Sequence, residues 1–174
     1  MKTLLKTAVL LASVLSSLLP IHALAAAEER WVTWRNERFA YSICYPSAVF
    51  PVFRESPQRH GIAMDADDSA ELIAAAIPYT HTNLAEPIRM EKERLTHIAL
   101  VASGRDLTNG DNWFVVSGTR VDQVLYTKAI RSGHRLIAFR FRYPESLAAK
   151  YAPIVERMSE CLELTPRAPE PDAD

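Results

Sequence analysis

The chain has 174 residues, of which 48% are hydrophobic and 24% are charged. This composition is typical of a globular protein and excludes a chain that is disordered throughout. The formal net charge of -1 gives no general reason to expect nucleic acid or an anionic membrane as a partner.

The first 27 residues predict a secretory signal peptide. Lys2 and Lys6 give a positive start, and residues 8–19 are apolar and uncharged. Residues 23–25, Ala-Leu-Ala, supply the pattern of a cleavage site. The apolar run is too short for a membrane span, and no cysteine lies at the cleavage point to carry a lipid. We therefore expect a periplasmic protein without a stable membrane anchor.

The rest of the chain divides into a domain and a tail. Residues 28–164 are predicted to form a single α+β domain, because their number suits one ordinary hydrophobic core. Residues 165–174 contain three prolines and three acids. Such a segment has little apolar surface to bury, so we predict a disordered acidic tail.

Strict alternation predicts a strand over residues 39–45. Phe39, Tyr41 and Ile43 share one face, and Pro46 ends the ladder. A short strand is predicted before it, at residues 31–35. The other predictions before residue 80 are a proline-rich loop at 46–58, a short strand at 61–64 and a buried strand at 70–79.

Cys44, at the end of this strand, and Cys161 are the only cysteines of the chain. An even cysteine count in an exported protein favours a disulfide, which would close a loop of 117 residues. The alternative is a pair of buried free thiols. Since no C-x-x-C spacing is present, redox exchange chemistry is not expected.

A cluster of carboxylates occupies the turn before the strand at 70–79. Oxygen-rich clusters of this kind bind calcium, but this one lacks the loop length and the glycine of an EF-hand. A solvated turn is the simpler interpretation, so we predict no metal site and no cofactor, and cation binding here stays open. The cluster consists of Asp65, Asp67, Asp68 and Glu71.

A helix is predicted over residues 87–104. Pro87 suits a first helical turn, and Gly104 suits a C-terminal stop. Apolar residues between them recur with a helical period of 3.6. They are Ile88, Leu95, Ile98, Ala99 and Ala102.

Three strands are predicted next, at residues 112–118, 122–130 and 135–143. The turn at 132–134 joins the last two in a hairpin. In the third strand, Phe139 and Phe141 point inward, whereas Arg140 and Arg142 point to the other face. A final amphipathic helix spans residues 146–161. Runs of strands with interposed helices predict an α+β fold, a mostly antiparallel sheet with helices packed on both faces.

Three segments of the chain resemble the PsbP-like group of small exported bacterial proteins. They are NERFAYSICYP at residues 36–46, WFVVSG at 113–118 and RFRYP at 140–144, the last followed by the amphipathic helix. The resemblance implies an α/β/α sandwich. It also implies a protein that binds other macromolecules rather than an enzyme, although fold likeness fixes no particular role.

A local excess of positive charge marks the predicted hairpin. We predict that Lys128, Arg140 and Arg142 lie on one face and bind another protein; an acidic partner or an anionic glycan would suit such a face. Charge reversal at the two arginines is then expected to weaken binding while folding survives. A solvated face whose charges pair with the acidic helices is the simpler interpretation. Between residues 120 and 142 the chain has six cations against one acid, Asp122.

No residue pattern predicts catalysis. The G-x-S-x-G elbow and the H-E-x-x-H motif are both absent from the sequence. The leading interpretation is therefore a periplasmic, non-enzymatic binding or accessory protein, one version of which is an immunity protein that blocks a toxin. A small exported hydrolase, a carbohydrate-active enzyme, and a small-ligand or metal-binding protein are the alternatives.

Overall fold

The computed structural model describes residues 30–81, 83–105 and 112–166. The predicted signal peptide (residues 1–27) and residues 167–174 of the predicted tail lie outside these ranges. The elements within them are the strands β1 (Trp31–Asn36), β2 (Tyr41–Pro46), β3 (Val52–Glu55), β4 (Gly61–Asp65), β5 (Glu71–Pro78), β6 (His97–Arg105), β7 (Asn112–Arg120), β8 (Gln123–Ser132), β9 (Arg135–Pro144) and β10 (Glu163–Leu164), and the helices α1 (Ala85–Glu93) and α2 (Ala148–Glu160).

The strands form two antiparallel sheets. The large sheet has the order β3-β4-β5-β9-β8-β7-β6, and the small sheet has the order β1-β2-β10. The prediction of a mostly antiparallel α+β fold with two helices is confirmed. The separate small sheet was not predicted, because β10 has two residues and is too short to show a period.

The predicted loop at residues 46–58 is wrong in part, because β3 lies within it. Pro51 precedes β3 and Pro57 follows it, and β3 is a four-residue strand at one edge of the large sheet. Prolines next to a short edge strand break no ladder hydrogen bond, so this sequence tolerates a strand there.

The predicted helix at residues 87–104 is wrong beyond Glu93. Helix α1 ends there, and the chain re-enters the large sheet as β6, which pairs with β7 along its length. Hydrogen bonds to β7 satisfy the β6 backbone groups on one edge of the strand, so pairing with the next strand along the chain overrides the helical spacing of the apolar residues. Gly104 therefore ends no helix. It lies beneath the indole of Trp113, which a β-carbon would approach to 2.8 Å.

Strand β9 confirms the predicted alternation and carries the centre of the core. Phe139 and Phe141 are at most 1% exposed and pack in a cluster with Tyr151 of α2. Leu136 and Ala138, on the other face of the strand, belong to a second buried cluster that Ile88 of α1 packs against.

The predicted C-terminal helix is confirmed. A 3-10 turn at Glu145–Leu147 leads into α2, which continues through Pro153 and ends just before Cys161. Among the described residues, no helix has the length and apolar character needed to span a membrane.

Candidate functional site

The predicted disulfide is confirmed. Cys44 in β2 and Cys161, the residue after α2, are bonded, with Cα atoms 5.8 Å apart. The next residues along the chain form β10, in which Glu163 pairs with Ser42 of β2. The C-terminal end of α2 is therefore joined to the small sheet by a covalent bond and by a strand pairing.

Arg140 and Arg142 lie on the face predicted for them, but both are engaged in ion pairs. Arg140 contacts Glu91 of α1 at 2.5 Å, and Arg142 contacts Glu71 of β5 at 2.8 Å. Their side chains are 44% and 54% exposed. The arginines thus present partly exposed, partly neutralised charge, and their predicted role in partner binding stays a prediction.

Lys128 does not share the face of the two arginines, so its predicted placement is wrong. In the β8–β9 register Lys128 lies opposite Phe139, whereas Arg140 lies opposite Thr127. Cross-strand partners share a face, so Lys128 is on the α2 side of the sheet. There its Nζ donates a hydrogen bond to the carbonyl oxygen of Ser159 in the last turn of α2.

The surface on which Lys128 lies is a groove that sequence reasoning missed. Its volume is about 670 Å³, and its floor is the α2-facing side of β6, β7 and β8. The last turn of α2 and the segment Leu162–Leu164 form its wall. The floor is mostly apolar, with Leu100, Ala102, Trp113, Val115 and Ile130 beside Lys128.

Strand β6 forms the outer side of this groove and is itself exposed. It is the last strand of the large sheet, and no described strand pairs with its outer edge. Ile98, Leu100 and Val101 are 43–50% exposed. By register, Leu100 lies on the groove side of the sheet, whereas Ile98 and Val101 lie on the α1 side. Exposing large apolar side chains to water on an unpaired sheet edge is energetically unfavourable, and other chains pair at such edges.

Tyr126, Lys128 and Ser159 are the polar groups that meet in the groove. The Tyr126 hydroxyl donates to the Ser159 Oγ at 2.9 Å, whereas the Lys128 ammonium bonds the Ser159 carbonyl and not its hydroxyl. Burial raises the pKa of Tyr126, so its hydroxyl stays protonated and is no base. A nucleophilic serine needs a base on its own hydroxyl. The arrangement therefore holds the end of α2 and does not activate Ser159.

Burial lowers the pKa of Lys128, while the charges of Glu160 and Glu163 act in the opposite direction. A cation at the C-terminal carbonyls of a helix is favourable because the helix dipole is negative there. Lys128 thus has a structural role in holding α2, whatever else the groove binds.

Three of the four carboxylates predicted as a cluster form separate ion pairs, and Asp67 forms none with a described residue. Asp65 contacts Arg54 at 2.6 Å, and Asp68 contacts Lys150 at 2.6 Å. Glu71, as described above, pairs with Arg142. Within residues 30–81, 83–105 and 112–166, no group of three or more acidic, histidine or cysteine side chains has metal-binding geometry.

A second, charged hollow lies on the α1 side of the large sheet. It has a volume of about 530 Å³ and is lined by Arg94, Arg120 and Arg142 together with the carboxylates Glu71 and Asp122. At its rim the β7–β8 turn presents Val121, which is 84% exposed and has a φ of 58°. Branched residues rarely adopt this left-handed conformation, so the turn holds an apolar side chain in solvent at a conformational cost.

The comparisons with known proteins show the fold alone. No protein-family model and no curated protein matches the chain. Among solved structures, it is similar to the solution structure of cyanobacterial PsbP (CyanoP) from Synechocystis sp. PCC 6803. The TM-score is 0.57 at 10% sequence identity, covering 80% of this chain and 95% of that chain. The resemblance to the PsbP-like fold is therefore confirmed.

Proposed function

We propose that this chain is an exported, non-enzymatic binding protein and that its binding site is the groove between β6–β8 and α2. The observation that carries the proposal is Leu100, which is exposed on the edge strand β6 and is continuous with the apolar floor of the groove. Exposed apolar surface next to a concave pocket marks a binding site. If its partner is a toxin, the protein is an immunity protein.

The wall of the groove supports this proposal because it is fixed before any partner arrives. The Cys44–Cys161 disulfide, the β10–β2 pairing and the Lys128 hydrogen bond all hold the end of α2. A preorganised site loses less conformational entropy on binding than one that must order itself.

Compartment and layer arrangement belong to the same proposal. The signal-like pattern of residues 1–27 and the disulfide favour export to the periplasm. An α/β/α sandwich is supported by the two faces of β9. Ile137 packs in the cluster of α2, and Leu136 packs in the cluster that α1 joins.

Capture from a periplasmic extract tests the proposed site. The mature protein is immobilised beside two variants, Leu100→Glu in the groove and Ile73→Glu at a similarly exposed apolar position on β5. We expect a partner that binds the wild type and Ile73→Glu but is lost from Leu100→Glu. A partner that all three proteins retain would place the binding site elsewhere.

Absence of catalysis is tested separately. We expect no turnover on panels of peptide, ester and glycan substrates, since neither Lys128 nor Tyr126 activates Ser159. Turnover that survives repurification and disappears in Ser159→Ala would contradict this part of the proposal.

The charged hollow supports a second candidate site, for the acidic partner predicted from the sequence. What favours it is Val121, held exposed beside three guanidinium groups. Arg120→Glu and Arg142→Glu are expected to weaken such binding more at low salt than at high salt, because exposed charges are screened. If the partner binds both variants as tightly as the wild type, the hollow is excluded as its binding site.

A further inference from the structure

The two edges of the large sheet are built differently. Edge strand β3 has four residues, two of them charged, and Arg54 is held by an ion pair to Asp65. Edge strand β6 has nine residues and has neither proline nor lysine within it. Natural edges are protected from pairing by shortness, charge, proline or bulges. The register irregularity of β6 lies near its start, between Ile98 and Leu100, and residues 100–105 pair regularly with β7. One edge of this sheet is protected in that way, and the other is open to another strand.

The groove side of β6 leaves room for the side chains of an added strand. Ala102 and Gly104, which face the groove, are small, and the Trp113 indole lies over Gly104 towards the edge. A strand laid beside β6 would place every second side chain on this face. Its large apolar side chains would meet Leu100 and Trp113 and enter the groove.

The charges along the groove indicate the chemistry of that strand. Three exposed glutamates lie on its α2 side, one in the groove itself and two in an adjoining hollow that shares Leu100, Tyr126 and Ser159 with it. None of the three forms an ion pair with another described residue. Lys128 is the opposing cation there, and its ammonium is engaged by the Ser159 carbonyl. The glutamates are Glu156, Glu160 and Glu163.

Neither a second copy nor the chain's own C-terminal residues match this groove. On the groove side, a second copy paired edge to edge would present one large side chain, Leu100, beside Ala102 and Gly104, and together they are too small to fill about 670 Å³. It would also bring another set of the same glutamates. Residues 167–174 contain three acids against one arginine, so their charge is the same as that of the groove wall.

We infer that the groove binds an extended segment of another protein, which pairs with β6 as an eighth strand and in which every second residue, on the groove side, is large and apolar or basic. This inference rests on the groove being the binding site proposed above. Backbone hydrogen bonds to β6 would hold the segment, the apolar side chains would fill the groove, and the lysines or arginines would face the glutamates.

Selection from a library of random 12-residue peptides on the mature protein tests the inference. We expect selected peptides with apolar residues at alternate positions and an excess of Lys or Arg. Their affinity should fall about tenfold or more with Leu100→Glu and stay unchanged with Ile73→Glu. Methylating one backbone nitrogen that faces β6 should weaken binding roughly fivefold or more, since a hydrogen bond is lost. Bound peptide should slow hydrogen exchange of the β6 amides.

Four results would overturn the inference. They are selection of acidic peptides, selection of apolar residues at helical spacing, indifference to backbone methylation, and failure to select any peptide. A dimer in sedimentation velocity that Val101→Lys abolishes would assign the edge to a second copy instead. If peptides of another kind still require Leu100, the groove remains the proposed binding site. If the captured cellular partner also ignores Leu100→Glu, the proposed function fails as well.

Discussion

Replacing Arg140 by glutamine is expected to destabilise the fold, although Arg140 is a half-exposed residue. Its partner Glu91 is only 9% exposed and also accepts a hydrogen bond from the Thr127 hydroxyl at 3.0 Å. Arg94 lies 3.5 Å from the same carboxylate. The Arg140→Gln variant would leave a nearly buried carboxylate with its strongest counter-charge removed.

The expected loss of stability in Arg140→Gln follows from the exposed fractions of Arg140 and Glu91. Removing one partner of a fully buried pair costs about 3–5 kcal/mol. Because Arg140 is 44% exposed and Arg94 remains, we reduce this to about 1.5–3 kcal/mol. Arg142→Gln is the matched control, since Arg142 is 54% exposed and its partner Glu71 is 33% exposed. Surface pairs of this kind contribute about 0–1 kcal/mol.

Urea denaturation followed by circular dichroism measures both variants against the wild type. We expect a clearly lower midpoint for Arg140→Gln, a small change for Arg142→Gln, and an unchanged slope in both. Equal effects would refute the conclusion that Glu91 is a buried anchor of α1. The structure therefore changes the expectation that folding survives charge reversal at both arginines. Arg140→Glu would place a second carboxylate beside that of Glu91, so the binding test should use Arg142 instead.

Three further predictions concern stability. Cys44→Ala combined with Cys161→Ala is expected to lower the free energy of unfolding by about 4–5 kcal/mol, because the bond closes a loop of 117 residues; a loss below 1 kcal/mol in urea denaturation would contradict this. Hydrogen bonds from Lys150 and Tyr151 lower the pKa of Asp68, so the ionised carboxylate stabilises the fold above pH 3.8 and this stabilisation is lost as the pH falls through the lower pKa of the folded state. Asp68→Asn should therefore make the free energy of unfolding depend less on pH below 3.8. An unchanged pH profile would argue against the hydrogen bonds to Asp68. Val121→Asn should raise stability by roughly 1 kcal/mol, because asparagine adopts a positive φ more readily; a lower melting temperature would show that the turn is not strained.

Patterns confined to one strand or one pair of residues were predicted correctly. Strand β9 alternates strictly, so its buried and exposed faces follow from the sequence, and the two cysteines had one possible intramolecular pairing. The helix prediction failed at β6 because the spacing of its apolar residues suits a helix as well as a strand. Only pairing with β7, a separate segment of the chain, decides between them.

The candidate site needed information that no single segment contains. The groove is built from three strands and the end of α2, and Leu100 belongs to it only because β6 is a strand. Lys128 could have been placed correctly. The two-residue loop at Gly133 and His134 sets Ser132 opposite Arg135. Counting back from there pairs Lys128 with Phe139, on the face away from Arg140.

Photo-crosslinking in cells tests the central claim, that the groove is the binding site, most directly. Benzoylphenylalanine is introduced in place of Leu100 in the groove or, as the control, in place of Ile73 on β5. Ultraviolet light is then applied to cells that export the protein. The account predicts a discrete covalent adduct from position 100 and none from position 73. An adduct from position 73 with none from position 100 would contradict it.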